Sequence, residues 1–217
     1  MMNSLLISYL IVSISSCICV LLGCKLLHPK QPLYVTLCYL GFMVFFLGRI
    51  YELSRILLNL DIYNTFELGF VGIIGAFSFW LSSNFTIKQT VNIKASKKNI
   101  IICLIISVLV SLLYVVIFKG TVNKLEKIID LIITIYAASN VYYYLRHLLL
   151  IKEDKTNLLK GLKAYNLCGI AFSILLLLLA ISFAYSINKL LLAISLLLGV
   201  DLILMIISFK KGAKEWK

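Results

Sequence analysis

Charged residues, histidine and proline are all scarce in this chain. Only 14% of its 217 residues are charged and 62% are hydrophobic, with a mean hydropathy of +1.03. A soluble domain covers its surface with polar residues, and this composition does not supply enough of them. Several apolar runs reach about 20 residues, the length at which a helix crosses about 30 Å of hydrocarbon. The composition therefore predicts an all-α integral membrane protein.

Alternation of apolar and polar residues is missing from these runs. The segment IIICLIISVLVSLLYVVIF, for example, is apolar on every side. Membrane β-strands alternate over about 10 residues, so the pattern excludes a β-barrel.

The chain also lacks the residue patterns of the common membrane enzymes and cofactor proteins. The two histidines, His28 and His147, form no HExxH or HxxxH pattern, and the six cysteines include no CxxC pair. No lysine lies in residues 190–209, so a retinal Schiff base in the last helix is excluded. We therefore expect no enzyme activity, no cofactor and no metal.

Both prolines, Pro29 and Pro32, lie in the first loop. The small seven-helix sugar transporters depend on prolines within the helices and on a repeated three-helix unit. Neither feature is found, which argues against that class.

The net charge of +12 is distributed unevenly along the chain. Lysines concentrate in alternate loops, such as KQTVNIKASKK, as insertion topology requires, so we expect no nucleic-acid partner. The side with the larger share of Lys and Arg holds the first, third and fifth loops and the C-terminus. Because positive loops remain cytoplasmic, the N-terminus is predicted outside and the C-terminus inside.

Seven membrane spans are predicted, which makes the chain a polytopic protein of the cell membrane, in contact with the lipid bilayer. Loops between the spans are short, so residues 1–217 are predicted to form one domain with no soluble domain. The predicted spans cover about residues 4–24, 33–57, 66–87, 99–118, 126–149, 164–186 and 189–209.

Ionisable residues inside these spans need a partner, a water-filled cavity or a route to the interface, because each costs about 2.5–3.5 kcal/mol at the bilayer centre. Arg49, Glu52 and Arg55 follow an i, i+3, i+6 spacing that brings Glu52 within ion-pair reach of both arginines. Glu67 and Asp130 lie at the outer starts of predicted spans three and five, where an acid also favours the helix dipole.

Asp201 lies near the middle of the last span, with no other charge in its helix. We expect it to face the bundle interior, protonated or hydrogen-bonded to a group such as Asn140, Ser139 or a tyrosine. The predicted ligand-binding residues are Arg49, Glu52, Arg55, Glu67, Asp130, Asn140 and Asp201. Glycines in ELGFVGIIGAF predict that another helix approaches the third span closely.

Within residues 38–87, the phrase LGRIYELSRIL is followed by FELGFVGIIGAFSFWLSSNFT. This stretch resembles the seven-helix sensor region at the N-terminus of some bacterial histidine kinases and diguanylate cyclases. The resemblance implies an outside N-terminus, a cytoplasmic C-terminus, sensing of a ligand or membrane state, and, since no kinase or cyclase follows, a separate signalling partner. The matching residues are Gly48, Glu52, Leu53, Gly69, Phe79 and Phe85.

Three functions remain open from the sequence. The first is a receptor-like or regulatory protein, in the bacterial inner membrane, that binds a small polar ligand from the outer side and signals through a membrane or cytoplasmic partner. The second is a small transporter or channel for protons or solutes, with Asp201 and Asn140 on the path. The third is a structural or accessory subunit in which the buried charges only pair helices.

Overall fold

A computed structural model describes residues 2–24, 31–58, 68–90, 96–150 and 157–213. Within these ranges the chain forms seven helices and no strand, so the predicted all-helical fold is confirmed. The helices are α1 (Met2–Gly23), α2 (Leu33–Leu57), α3 (Leu68–Thr90), α4 (Lys97–Gly120), α5 (Lys124–Leu150), α6 (Asn157–Ala184) and α7 (Asn188–Ala213).

Six of the seven helices are long and apolar enough to cross a membrane, as a multi-pass membrane protein requires. Helix α3 contains glycines, serines and Asn84 among its apolar residues. It contacts α2 through Gly72, Trp80 and Ser83.

Helix boundaries follow local signals in the sequence. Pro32 precedes α2, where its missing N–H costs no helical hydrogen bond. The Ser96 hydroxyl accepts a hydrogen bond from the Asn99 N–H and caps α4. Leu112 tightens one turn of α4, dividing it into Lys97–Ser111 and Leu113–Gly120. Helix α6 begins earlier than predicted, because hydropathy marks the hydrocarbon boundary while the helix continues into the interface.

Six helices form a closed ring, in the order α1, α2, α3, α5, α6 and α7, with α7 packing back against α1. Helix α4 lies outside the ring against α5 and α6. Only Cys103, Val110 and Ile117 of α4 are buried, at a spacing of seven residues that marks one narrow contact stripe. The ring consequently has an interior to which α4 does not contribute.

Helices α2 and α3 cross at glycines that leave no room for a side chain. A Cβ atom added to Gly72 would lie 2.6 Å from the Gly48 Cα atom, and one added to Gly48 would lie 2.9 Å from the Gly72 Cα atom. The two backbones are therefore in direct contact, as in small-residue crossings of membrane helices. This confirms the predicted close approach to the glycine face of α3.

The turn between α6 and α7 is a Schellman motif with Ser186 in the left-handed region, at φ 55°. The N–H of Ile187 donates to the Ser182 carbonyl, and the N–H of Ser186 donates to the Phe183 carbonyl, both at 3.0 Å. This tight turn connects the two helices that correspond to the predicted spans 164–186 and 189–209.

Glycine at position 186 is expected to stabilise the protein. Because a left-handed conformation is strained for residues with a Cβ atom, Ser186→Gly should raise the free energy of unfolding by about 0.5–1 kcal/mol. Thermal unfolding in detergent micelles measures the change. Ser186→Ala serves as the control and should give no gain, since it keeps the Cβ atom; an equal gain from alanine would contradict the explanation.

Candidate functional site

The side chains that α2 turns toward the ring interior form three successive layers. Cys38, Phe42, Phe45, Arg49 and Glu52 recur at helical spacing and are all buried. Moving along α2 from its N-terminus, the interior changes from a thiol to aromatic rings and then to charges. We call these three layers, in the same order, the polar centre, the aromatic layer and the charged layer.

The aromatic layer consists of Phe42, Phe45, Phe77, Trp80 and Phe172. Its ring centroids lie 5.0–6.4 Å apart in edge-on or tilted contacts. Phe45 and Phe172 belong to α2 and α6, which are not neighbours in the ring, so their contact crosses the interior. The layer therefore fills the bundle between the charged layer and the polar centre.

In the charged layer, Glu52 joins α2 to the start of α3. Its Oε1 atom accepts a hydrogen bond from the Gly69 N–H at 3.0 Å, a donor that has no partner within the first turn of α3. Its Oε2 atom lies 3.6 Å from Nη1 of Arg55. The expected Glu52–Arg55 ion pair is therefore present.

Arg49 is engaged differently from Arg55. Its Nη2 atom donates to the Gly69 carbonyl at 3.2 Å, and its guanidinium carbon lies 5.5 Å from the ring centroids of both Tyr9 and Phe45. Ion pairing with Glu52, also expected from the spacing, is not seen among the described residues, where the one ion pair is Glu52–Arg55. Glu52 and Arg49 thus bind the backbone of the same residue: Glu52 accepts from the Gly69 N–H, and Arg49 donates to the Gly69 carbonyl.

The other predicted site residues lie apart from this layer. Asp130 of α5 accepts a hydrogen bond at 3.2 Å from the hydroxyl of Thr121, which lies in the turn between α4 and α5. Asn140 donates to the carbonyls of Phe77 at 3.1 Å and of Tyr136 at 3.0 Å, which ties α5 to α3. Glu67 lies outside the described residues.

Below the aromatic layer lies the polar centre, formed by Cys38, Asn84, Tyr144, Tyr165 and Asp201. The Cys38 thiol donates to the Tyr165 hydroxyl at 3.2 Å, and the Tyr144 and Tyr165 hydroxyls lie 3.4 Å apart. The Asn84 side chain approaches the Tyr144 hydroxyl without reaching hydrogen-bond geometry, and the Asp201 carboxylate interacts with Tyr144 electrostatically. Five helices of the ring each contribute one member.

Asp201 contacts a thiol rather than the amide or hydroxyl groups that the sequence favoured. The Cys168 side chain of α6 faces its carboxylate. Asn140 is instead occupied with backbone carbonyls of α3 and α5. Tyr144 interacts with the acid only electrostatically, so the expected hydrogen bond to a tyrosine is not seen among the described residues.

Several polar atoms in this region have no hydrogen-bond partner within the described part of the chain. In the polar centre they are the Oδ1 and Nδ2 atoms of Asn84 and Oδ2 of Asp201; the Oδ1 and Nδ2 atoms of Asn166, next to Tyr165 in the sequence of α6, share this property. Asn84 and Asn166 are 0% exposed and Asp201 is 8% exposed. An unsatisfied buried polar group costs about 1–3 kcal/mol, so these atoms point to a site that a polar ligand or ordered water completes.

Asn84, Tyr144, Tyr165 and Asn166 were not predicted from the sequence. The prediction considered mainly ionisable residues, and it named a tyrosine only as a partner of Asp201, without a position in the chain. An uncharged amide deep inside an apolar span, as in SSNF and AYNLC, is the signal that identifies two of them.

Comparisons with protein-family models, with curated proteins and with solved structures return no match for this chain. The resemblance to bacterial sensor regions therefore remains a prediction from residues 38–87.

Proposed function

We propose that this chain is a receptor-like or regulatory protein of the cell membrane, with a small polar ligand bound in the polar centre. The observation that supports the proposal is the pair of buried side chains, Asn84 on α3 and Asp201 on α7, whose amide and carboxylate atoms lack hydrogen-bond partners among the described residues. Natural proteins rarely leave such atoms unpaired, and those that do so often place them at functional sites. Paired tyrosine hydroxyls beside them add donors and acceptors for an uncharged or weakly charged ligand.

The route to the polar centre is proposed from the end of the bundle where α7 terminates. The aromatic layer separates the centre from Arg49 and Glu52 at the other end. Because Lys-rich segments surround the α7 end, the positive-inside rule makes that end cytoplasmic. The ligand then enters from the cytoplasmic side, which differs from the outer entry expected from the sequence.

A signal would leave through the same end of the molecule. Helices α5, α6 and α7 contribute Tyr144, Tyr165 and Asp201, and all three extend to the Lys-rich end. A ligand that binds one arrangement of these helices more tightly shifts the population toward it. A separate membrane or cytoplasmic partner would then recognise the altered basic face, in line with the resemblance to sensor regions.

Two buried asparagines provide a test with opposite expected signs. Asn84→Leu removes two unpartnered atoms and should leave the ligand-free protein equally stable or more stable by about 1–2 kcal/mol. Asn140→Leu is the matched control and should destabilise by about 0.5–1.5 kcal/mol, since it removes the hydrogen bond from Nδ2 to the Phe77 carbonyl that joins α5 to α3. Thermal unfolding in detergent micelles, at fixed detergent concentration, measures both.

Ligand binding is tested on the same variants. Panels of amides, polyols, amino acids and amines are added to the wild-type protein, and the unfolding midpoint is recorded. We expect at least one class to raise the midpoint of the wild type and of Ser186→Gly, but not that of Asn84→Leu. The structural or accessory function would be favoured by a different result. In that result Asn84→Leu destabilises the protein as much as Asn140→Leu does, and no class of compound raises the unfolding midpoint.

A second function, proton or solute translocation, is favoured by one observation. Asp201 lies beside a continuous series of exchangeable protons, which runs from Tyr144 through Tyr165 to the Cys38 thiol. Intramembrane acids with such neighbours commonly mark proton paths. In proteoliposomes carrying an internal pH dye, Asp201→Asn would abolish proton entry if the chain translocates protons, whereas a receptor gives no flux in either form.

A further inference from the structure

We infer that Arg49 holds a bound oxyanion, a phosphate or carboxylate group, on the side of the aromatic layer opposite the polar centre. This site is separate from the ligand site proposed above and does not depend on it. The inference rests on the charge, the donor geometry and the surroundings of Arg49.

The charge of Arg49 is not balanced by the described carboxylates. Arg49 is 6% exposed and carries a guanidinium cation. Glu52, the acid one turn away, is occupied by Arg55 and by the Gly69 N–H. Because a buried charge without a counter-ion is strongly disfavoured, the site calls for an anionic group in addition to the described carboxylates.

The donors of Arg49 are only partly used. Nη2 donates to the Gly69 carbonyl, while Nε is buried and has no partner in the part of the chain that the structure describes. A guanidinium presents its N–H groups as a planar fork, which matches two oxygens of one phosphate or carboxylate. The unpartnered Nε–H thus offers one edge of the fork.

Two rings hold the guanidinium in position. Tyr9 of α1 and Phe45 of α2 both lie 5.5 Å from its central carbon, within cation–π range. The Ser13 hydroxyl donates to the Arg49 carbonyl at 3.2 Å and fixes the backbone of α2 against α1. A cation held by aromatic rings and by backbone contacts is preorganised for an anion, because little conformational freedom remains to be lost on binding.

The charge of the layer defines the class of ligand. Arg49 contributes one positive charge that the described carboxylates do not balance, so a group with a single negative charge neutralises it. Arg49 lies about 12 Å from the C-terminal end of α2, at 1.5 Å per residue. Both a small anion entering between the helices and the phosphate of an anionic phospholipid carry this chemistry.

The experiment separates these two sources. In one arm, protein in phosphatidylcholine nanodiscs is titrated with inorganic phosphate or acetate against chloride at matched ionic strength. In the other arm, nanodiscs that contain phosphatidylglycerol are used without added phosphate, and native mass spectrometry records the retained lipid. The thermal unfolding midpoint is measured in both arms.

We expect the wild-type midpoint to rise in at least one arm, and Arg49→Gln to lose that rise. Arg49→Lys keeps the charge without the fork and should weaken anion binding by about tenfold, the size of one charge-assisted hydrogen bond. If Arg49→Gln does not fold, Arg49→Lys tests whether Arg49 binds the anion. Lys189→Gln removes an exposed cation at the same end of the bundle and should behave as wild type.

Two results would overturn the inference. The first is the absence of any rise for the wild type in either arm. The second is an equal rise in the wild type and both Arg49 variants, which would assign the effect to general screening of the basic protein. A rise in the phosphate or acetate arm alone identifies a soluble anion, and a rise in the phosphatidylglycerol arm alone identifies a lipid headgroup.

Discussion

Replacing Glu52 with alanine is expected to lower the free energy of unfolding by about 3–5 kcal/mol, the loss typical of a broken buried ion pair. The substitution leaves the Arg55 guanidinium without this carboxylate and the Gly69 N–H without its acceptor. Both groups are buried, so water cannot replace the lost contacts. Unfolding in detergent micelles, followed by the fluorescence of Trp80 in the aromatic layer, measures the effect.

Glu52→Gln divides this loss into its two parts. The glutamine amide oxygen can still accept from the Gly69 N–H, so the remaining loss reports the missing charge alone. Glu126→Ala, in the first turn of α5, removes an acid without disturbing the charged layer and should cost less than about 1 kcal/mol. If Glu52→Ala costs no more than Glu126→Ala, the charged layer does not hold α2 to α3.

Adding one methyl group at Gly72 is expected to have the second large effect. Gly72→Ala places its Cβ atom 2.6 Å from the Gly48 Cα atom and 3.1 Å from the Val44 carbonyl oxygen. Both obstacles are backbone, so the helices must separate, at a loss of about 3 kcal/mol or more. The unfolding midpoint in micelles should fall accordingly.

Gly75→Ala is the matched control for Gly72→Ala, one turn further along the same helix. Its Cβ atom would meet the Val44 side chain at 2.8 Å, an obstacle that can move more easily than backbone. Alanine also gains up to about 1 kcal/mol of helix propensity over glycine, so the net change at Gly75 should be within about 1 kcal/mol. Equal losses at both positions would show that the crossing at Gly48 and Gly72 is not a rigid contact.

These two predictions concern the contact between α2 and α3, called the junction, which lies next to the aromatic layer. The glycine crossing brings α2 and α3 together, and Glu52 joins them where α3 begins. The aromatic layer follows directly, with Phe45 and Phe172 in contact across the ring. Loosening the junction should therefore affect both the Arg49 site and access between the two ends of the bundle.

Much of the fold was predictable because it depends on short segments of the sequence. Hydropathy alone places a helix of membrane length, and Pro32, Ser96 and the YSINK turn mark where helices begin or end. The α2 boundaries, 33–57, agree with the prediction. The glycine spacing in α3 likewise predicts a close helix approach, since a missing side chain is a property of the residue itself.

The partners of the buried polar residues were less predictable. The i, i+3 spacing of Glu52 and Arg55 was sufficient for their ion pair, because both lie on one helix. The spacing did not show which arginine pairs with Glu52, because Arg49 instead donates to the carbonyl of Gly69 on another helix. Asp201 likewise faces Cys168, a residue that no local pattern connects with it.

By itself, the sequence determined a helical membrane protein of seven helices and the positions of its buried charges. Hydrophobic length and side-chain type act locally, and both can be read without knowing the neighbours. Only the tertiary structure decided that α4 lies outside the ring, that an aromatic layer divides the interior, and that Asn84 and Asn166 are fully buried. Each of these depends on which helices meet, a choice made by packing between segments far apart in the chain.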